Sequence, residues 1–347
     1  MSHSYADKDI YKTKKMARIM NLYVHEINKY IYSTEFLNFI YDYHPKEYLK
    51  YSDAYLRNNI YSFYLKGSSA FVPLQNLNDM KQREVVYTSD FDCMLSINPG
   101  LCDYTEYVNL RMCLIVGILW CIDDLILTKL NEEYYNLDEL CLDFDKDIDS
   151  IEIVNTGLSS DDFDLYNYLE RFNIDNSNSL YKIKVLTNIT NDITSHMLIT
   201  IELKTKTPIH ILDIVIPCFN SPASMYEWKL SKNLLRINIS DLEYVSKNET
   251  YGMYICRSSY LYYTLDLNTF YIDQLYSSHF LRYKKEMISS EKYAKRFQRA
   301  LHIQLNMFES KDLIDLCREY GDLILPNKMA LKDLIFCVPQ FYRILNI

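Results

Sequence analysis

Glycine is nearly missing from this chain: six residues in 347, with only eight prolines beside them. So little turn and linker material argues against a linker-rich protein. Cysteine occurs nine times but never as C-x-x-C, which reads as free thiols in a reducing compartment and no structural zinc. The seven histidines fall into no metal-ligand spacing, and no Ser-His-Asp arrangement can be inferred. Long apolar runs are missing too. The longest, Cys113 to Ile122, is about half a membrane span and stops at Asp123-Asp124, so it reads as a buried helix packed behind a sheet. The N-terminus is polar and basic through Lys15 and does not look like a signal peptide. A cytoplasmic protein without a membrane partner is therefore expected. Excess positive charge is also lacking: the net charge is −9, with the acidity concentrated in Glu132 to Asp164. Strong unaided RNA binding comes with a basic surface. Any grip on RNA must then come from a local basic channel, a partner subunit or a second copy of the chain.

What the chain has is apolar mass. At 49% hydrophobic residues it can bury a sizeable core in about two domains. The pattern reads as α+β. Residues 1–66 form a mainly helical region broken near His44-Pro45. Residues 67–235 form a mixed domain with a long helix near Tyr104 to Lys129 and an acidic insertion over about 132–178. Residues 236–347 form a mainly helical domain that opens with a strand-like piece, Leu235 to Ile239.

The chemistry-bearing residues follow the apolar stretch Tyr61 to Leu65. Gly67-Ser68-Ser69 places one of the few glycines where backbone N–H groups can approach a triphosphate. Downstream, Ser89-Asp90-Phe91-Asp92 opens an alternating run that ends at Asn98-Pro99-Gly100. Asp90, Asp92, Met94 and Ser96 share one strand face; Phe91, Cys93, Leu95 and Ile97 share the other. Carboxylates two apart on a strand point the same way and can grip one pair of divalent ions. The triplets at Asp143-Phe144-Asp145 and Asp162-Phe163-Asp164 repeat the pattern but lack the upstream Gly-Ser, so they read as background. The gap from Ser68 to Asp90 calls for a loop or an extra hairpin, with Gln75 to Glu84 polar. A third carboxylate is expected on a neighbouring strand. His210 to Ile216 is apolar apart from Asp213, and a lone carboxylate in such a run is costly unless paired or metal-bound. Glu202, on the amphipathic strand Met197 to Leu203, is the rival.

The strings LKGSSAF (Leu65 to Phe71), TSDFDCMLSINP (Thr88 to Pro99) and HILDIVIP (His210 to Pro217) resemble the polymerase-β-like nucleotidyltransferase superfamily. Within it they are most similar to the poly(A) polymerase catalytic subunits of poxviruses and other large cytoplasmic DNA viruses. The resemblance implies a nucleotidyltransferase palm, a mixed sheet with flanking helices, between helical N- and C-terminal regions. It implies a viral transferase that adds AMP from ATP to RNA 3′ ends in mRNA processing, located in the host cytoplasm or the virion. It further implies that Gly67 and Ser68, with Ser69, hold the triphosphate, and that Asp90, Asp92 and Asp213 hold two Mg²⁺ or Mn²⁺ ions. Rival readings keep the fold and change the acceptor, as in toxin-type enzymes or second-messenger synthases, or take the chain as a non-catalytic subunit.

Three further groups carry two readings each. Tyr226, Trp228 and Lys229 can stack a base and touch phosphate, or pack in the core; Tyr260, Tyr262 and Tyr263 are ambiguous in the same way. After Ser289-Ser290, a helix presents Tyr293, Phe297, Leu301, Leu305 and Phe308 at nearly helical spacing. A separate stripe on it holds Lys292, Lys295, Arg296 and Arg299. That stripe, preceded by Lys284 and Lys285, is either a wall that binds RNA or triphosphate, or a solvated basic face.

Overall fold

A computed structural model describes residues 3–43, 60–78, 91–100, 103–121, 151–155, 181–189, 196–204, 209–219, 222–248, 251–283, 290–322, 330–333 and 335. Asp90, the triplets at 143–145 and 162–164, Lys284 and Lys285 lie outside the described residues. The chain divides into two compact units, Met1–Thr264 and Leu265–Ile347.

The first unit is mixed α+β. It begins with helices α1 (His3–Ile31) and α2 (Thr34–Tyr43), followed by strand β1 (Tyr61–Lys66), helix α3 (Gly67–Asn78), β2 (Phe91–Ile97) and α4 (Tyr104–Trp120). Strands β3 (Ile151–Asn155), β4 (Tyr181–Ile189), β5 (His196–Leu203) and β6 (Ile209–Pro217) follow. Helix α5 (Pro222–Leu230) and the long strands β7 (Leu234–Asn248) and β8 (Tyr251–Leu265) complete it. The sheet order is β3-β4-β5-β6-β2-β1-β8-β7. The six strands from β3 to β1 are paired residue by residue. Their pairings mix parallel (β3 with β4, β6 with β2) and antiparallel (β4 with β5, β5 with β6, β2 with β1).

Alternation gives this sheet two different faces. Phe63 and Leu65, Cys93 and Leu95, Ile214, and Ile199 stand on one face and are buried to within 1% exposure. Helix α1 reaches strand β6, and α2 and α4 pack on α1 and on each other. Side chains clasp these layers. The Tyr61 hydroxyl donates to the Ile31 carbonyl at 2.6 Å, and Tyr107 donates to the Pro217 carbonyl at 2.5 Å. Helix α4 starts at a capping box: the Glu106 N–H donates to Asp103, and the Asp103 N–H donates to Glu106. It is apolar nearly all round, which suits burial. A Cβ on Gly117 would meet the Phe36 ring at 2.1 Å, so α4 and α2 approach as closely as only glycine allows.

Several expectations change here. Residues 61–66 are a central strand and not the end of a helical region: they are buried on both sides, and such a run has no period to read. Helix α3, and no hairpin, fills the first half of the gap after Ser68. The acidic stretch contributes β3 at the sheet edge. Strands β7 and β8, expected in a helical C-terminal domain, join the sheet, and the boundary between units falls at residue 264 instead of 235.

The second unit contains α6 (Leu267–Tyr283), α7 (Ser290–Asn306) and α8 (Ser310–Tyr320). Phe297 and Leu301 are buried between helices as expected, but Leu305 is 54% exposed. A four-residue repeat drifts about 40° per step on a helix, so Leu305 lies about 80° round from Phe297. Ala300, Ile303 and Gln304 take the core positions instead, with Gln304 accepting from the Tyr271 hydroxyl at 2.8 Å. Among the described residues no helix is long and apolar enough to cross a membrane.

Candidate functional site

The second face of the sheet carries a polar row. Lys66 on β1 is the register partner of Asp92 on β2; Asp92 is the partner of Asp213 on β6; Asp213 is the partner of Thr200 on β5. Directly opposed residues share a face, so these four side chains stand side by side across four strands. Two ionised carboxylates on neighbouring strands repel. At about 5 Å and an effective dielectric near 20 the cost is about 3 kcal/mol. Nearby groups offset that cost for Asp213. Its Oδ1 accepts from the Thr200 hydroxyl at 2.7 Å and lies 3.1 Å from His210 Nε2.

His210 reaches that position through a bulge. The register slips between Ile201 and Glu202, so Ile201 faces Leu212 but Glu202 faces His210, and Ile211 is the extra residue. In a regular strand His210 and Asp213, three apart, would point to opposite faces. The bulge brings them to one face, with Glu202 Oε1 3.7 Å from His210 Nδ1. Of the two carboxylates weighed as the third ligand, Asp213 is the one directly across from Asp92, while Glu202 sits with His210 farther along the face.

Gly67 closes the other side. Its φ is +60°, a left-handed conformation that favours glycine, and an added Cβ would lie 2.6 Å from Asp92 Oδ2. The Asp92 carboxylate therefore leans over the first residue of α3, where unpaired N–H groups concentrate positive potential. Ser68 is half-buried there. Ser69 is fully buried and turned inward: its hydroxyl donates to the Lys66 carbonyl at 2.7 Å and accepts from the Asp92 N–H at 3.2 Å. Ser69 thus sets the spacing between the end of β1 and the start of β2 and does not line the face. Lys66 is tied to α5, with Nζ 2.5 Å from Glu227 Oε1, and the Tyr64 hydroxyl donates to Glu227 Oε2 at 2.8 Å. Burial, and then the charges of Asp92 and Asp213, push the Cys93 thiol well above its ordinary range. It is a packing residue under the row and not a nucleophile.

The donor set suits a hard divalent cation: paired carboxylates beside a hydroxyl oxygen and, among the described residues, no thiolate on the face. Among the described residues no group of three or more His, Cys, Asp or Glu side chains is arranged to hold a metal ion. Asp90, the expected companion of Asp92, lies outside those residues.

The other expected contacts sort plainly. Tyr226 is buried at 6% exposure and belongs to the core, as do Trp228, Tyr260 and Tyr262, whereas Lys229 is exposed. Tyr263 lies 4.4 Å from the Tyr32 ring. On α7, Lys295 is exposed and Arg296 half-buried, while Arg299 donates to Gln274 of α6 at 3.3 Å and is engaged within the helix pair. The side chain of Lys292 is not among those described. Sequence reasoning missed Thr200, His210, Lys66 and Glu227. Lys66 was adjacent to the glycine turn and Thr200 faced a carboxylate strand, but His210 needed the bulge, which no periodicity reveals. No family model, curated protein or solved structure matches this chain.

Proposed function

We propose that this chain is a nucleotidyltransferase of the polymerase-β-like kind that transfers AMP from ATP onto the 3′ end of an RNA. The observation that supports this reading is the pairing of Asp92 with Asp213 across two parallel strands, with Gly67 and the start of α3 beside Asp92. A triphosphate and its counter-ions need such a juxtaposition: carboxylates for cations, and a glycine-led helix start for phosphate oxygens. Asp92 and Asp213, together with Asp90, would hold Mg²⁺ or Mn²⁺. Bound there, the ions supply Lewis acidity to the attacking hydroxyl and charge neutralisation to the departing pyrophosphate.

The protein's own groups do the positioning. Gly67 and Ser68 present backbone N–H groups to the outer phosphates, and Ser69 fixes the distance from that turn to Asp92. Thr200 and His210 hold the Asp213 carboxylate in one orientation. In the reaction the RNA 3′ oxygen bonds to the α-phosphorus, the bond from that phosphorus to pyrophosphate breaks, and the hydroxyl proton passes to solvent water beside Asp213.

The test is extension of a labelled RNA primer with each NTP separately, in Mg²⁺ or Mn²⁺. The expected result is a ladder with ATP that disappears with EDTA and with Asp92→Ala. A product formed from NTPs alone would shift the reading to a second-messenger synthase. Absence of any transfer product, or a ladder that survives Asp92→Ala, overturns it.

A further inference from the structure

The face that carries the two aspartates continues beyond them. Thr200 has Asp213 as its register partner on one side and Lys184 on the other; Glu202 has His210 on one side and Lys182 on the other. Opposed residues of antiparallel strands share a face. Lys182 and Lys184 of β4 therefore stand on the face of Thr200, Asp213 and Asp92, and both are half-buried.

The two flanks of the carboxylate row differ. On the β1 flank the cation, Lys66, is held by Glu227, and the glycine turn opens α3. On the β4 flank two lysines follow each other at about 6.7 Å along one strand. Two strand spacings, about 10 Å in all, separate their backbone from that of Asp213. Glu202 opposite Lys182, and Glu152 as the β3 register partner of Lys184, do not forbid an anion there. A cross-strand charge pair contributes little, and a polyanion that releases counterions competes well with it.

Resting on the nucleotidyl-transfer reading, we propose that the β4 flank is the acceptor track. Lys182 and Lys184 take successive phosphates of a single-stranded nucleic acid whose 3′ end reaches Asp213, and the triphosphate enters from the β1–α3 flank. The acceptor is then a phosphodiester strand and not a polypeptide side chain. The track also reconciles nucleic-acid binding with a net charge of −9, because the grip is local.

The experiment is fluorescence anisotropy with a short labelled oligo(A), across a salt series and without NTP. The wild type is compared with the double variants Lys182→Gln/Lys184→Gln and Lys182→Arg/Lys184→Arg, each checked for an unchanged melting temperature. The Gln pair should bind about tenfold more weakly. Its log K against log salt should flatten by about 1.4, from about 0.7 for each lost single-strand contact. The Arg pair should bind like the wild type, and the KM for ATP should be the same in all three. Unchanged affinity and slope in the Gln pair overturn the track. Asp92→Ala separates the two claims: it should keep oligo(A) binding while losing transfer. Lysine-dependent binding in a wild type that transfers nothing would support the track and strike the catalytic reading instead.

Discussion

Asp213 and Ile214 are neighbours in sequence and opposites in environment. Ile214 is fully buried among Cys93 and Ile199 on the apolar face, while Asp213 is partly exposed in a row with Asp92 and Thr200. One face lowers free energy by removing apolar surface from water. The other places like charges side by side, with Thr200 and His210 set against one of them. On the proposed reading the difference separates two properties: stability on the first face, chemistry on the second. Substitutions can pull the two apart.

The largest separation should come from the carboxylates. Asp92→Ala and Asp213→Ala should each lower the transfer rate by about a thousandfold or more, equivalent to about 4 kcal/mol of transition-state stabilisation. The melting temperature of Asp92→Ala should hold or rise, since it removes a like-charge neighbour; in Asp213→Ala that gain is offset by the stranded hydroxyl of buried Thr200. Glu202→Ala, farther along the face, should keep most activity. Primer-extension rates beside thermal melts check this; a ranking with Glu202 above Asp213 would show that the row has been centred on the wrong residue.

The reverse case is Ile214→Ala. Emptying a fully buried site costs about 2–5 kcal/mol. The variant should unfold at lower denaturant yet transfer nucleotide at a near-normal rate at temperatures where it remains folded. Equilibrium urea unfolding with parallel assays distinguishes the two effects. An inactive but stably folded Ile214→Ala would mean that the faces are mechanically coupled.

The contrast also explains what could be read in the sequence. Asp213 was legible as a lone charge in an apolar strand, and Asp92 by the glycine turn before it and the alternation after it. Gly67 stood out because glycine is scarce. Strand β1 was not legible as a strand, since burial on both sides leaves no alternation. Leu305 was misjudged for another reason: its position depends on the turn of a helix against its neighbours, and residue type alone does not fix that; of the two readings open for Tyr226, burial takes the core one. The His210 contact was invisible because the bulge at Ile211 breaks the period-two rule on which the strand reading rested. Strand β7 was read only as the piece Leu235 to Ile239, and neither it nor β8 was placed in the sheet, because their connection to it is through β1, far away in sequence.

Gly67 tests the seam between stability and chemistry with a smaller effect. Gly67→Ala forces a left-handed conformation on alanine, costing about 1–2 kcal/mol. It also drives a methyl group against Asp92 Oδ2, where only 2.6 Å is available to a Cβ. Misplacing a reacting group by about 1 Å can cost about a hundredfold in rate. The expectation is a modest drop in melting temperature with a disproportionate loss of kcat. A drop in both that matches the fraction unfolded would remove the special role of this glycine.

The smallest effect belongs to the stable face and reads out through pH. Tyr32 clasps β1 by accepting from the Phe63 N–H at 2.9 Å and donating to the Phe63 carbonyl at 3.0 Å. Burial holds its phenol well above the ordinary tyrosine range, and Tyr23 and Tyr271 are raised in the same way. A group raised on folding contributes stability that is fully present below its unfolded pKa and lost as pH climbs towards the folded one. The unfolded phenol ionises near pH 10, so the wild type should lose stability above about pH 10, by about 1.4 kcal/mol per pH unit for each such tyrosine. Tyr32→Phe should cost about 1–3 kcal/mol at pH 8, because it strands the Phe63 N–H. It also deletes one of the groups that drive alkaline unfolding. The stability gap between variant and wild type should therefore narrow as pH rises from 10 to about 11.5. Urea midpoints across that range measure the gap directly; one that stayed constant would mean that the Tyr32 phenol titrates alike in the folded and unfolded chains and is not sequestered against β1.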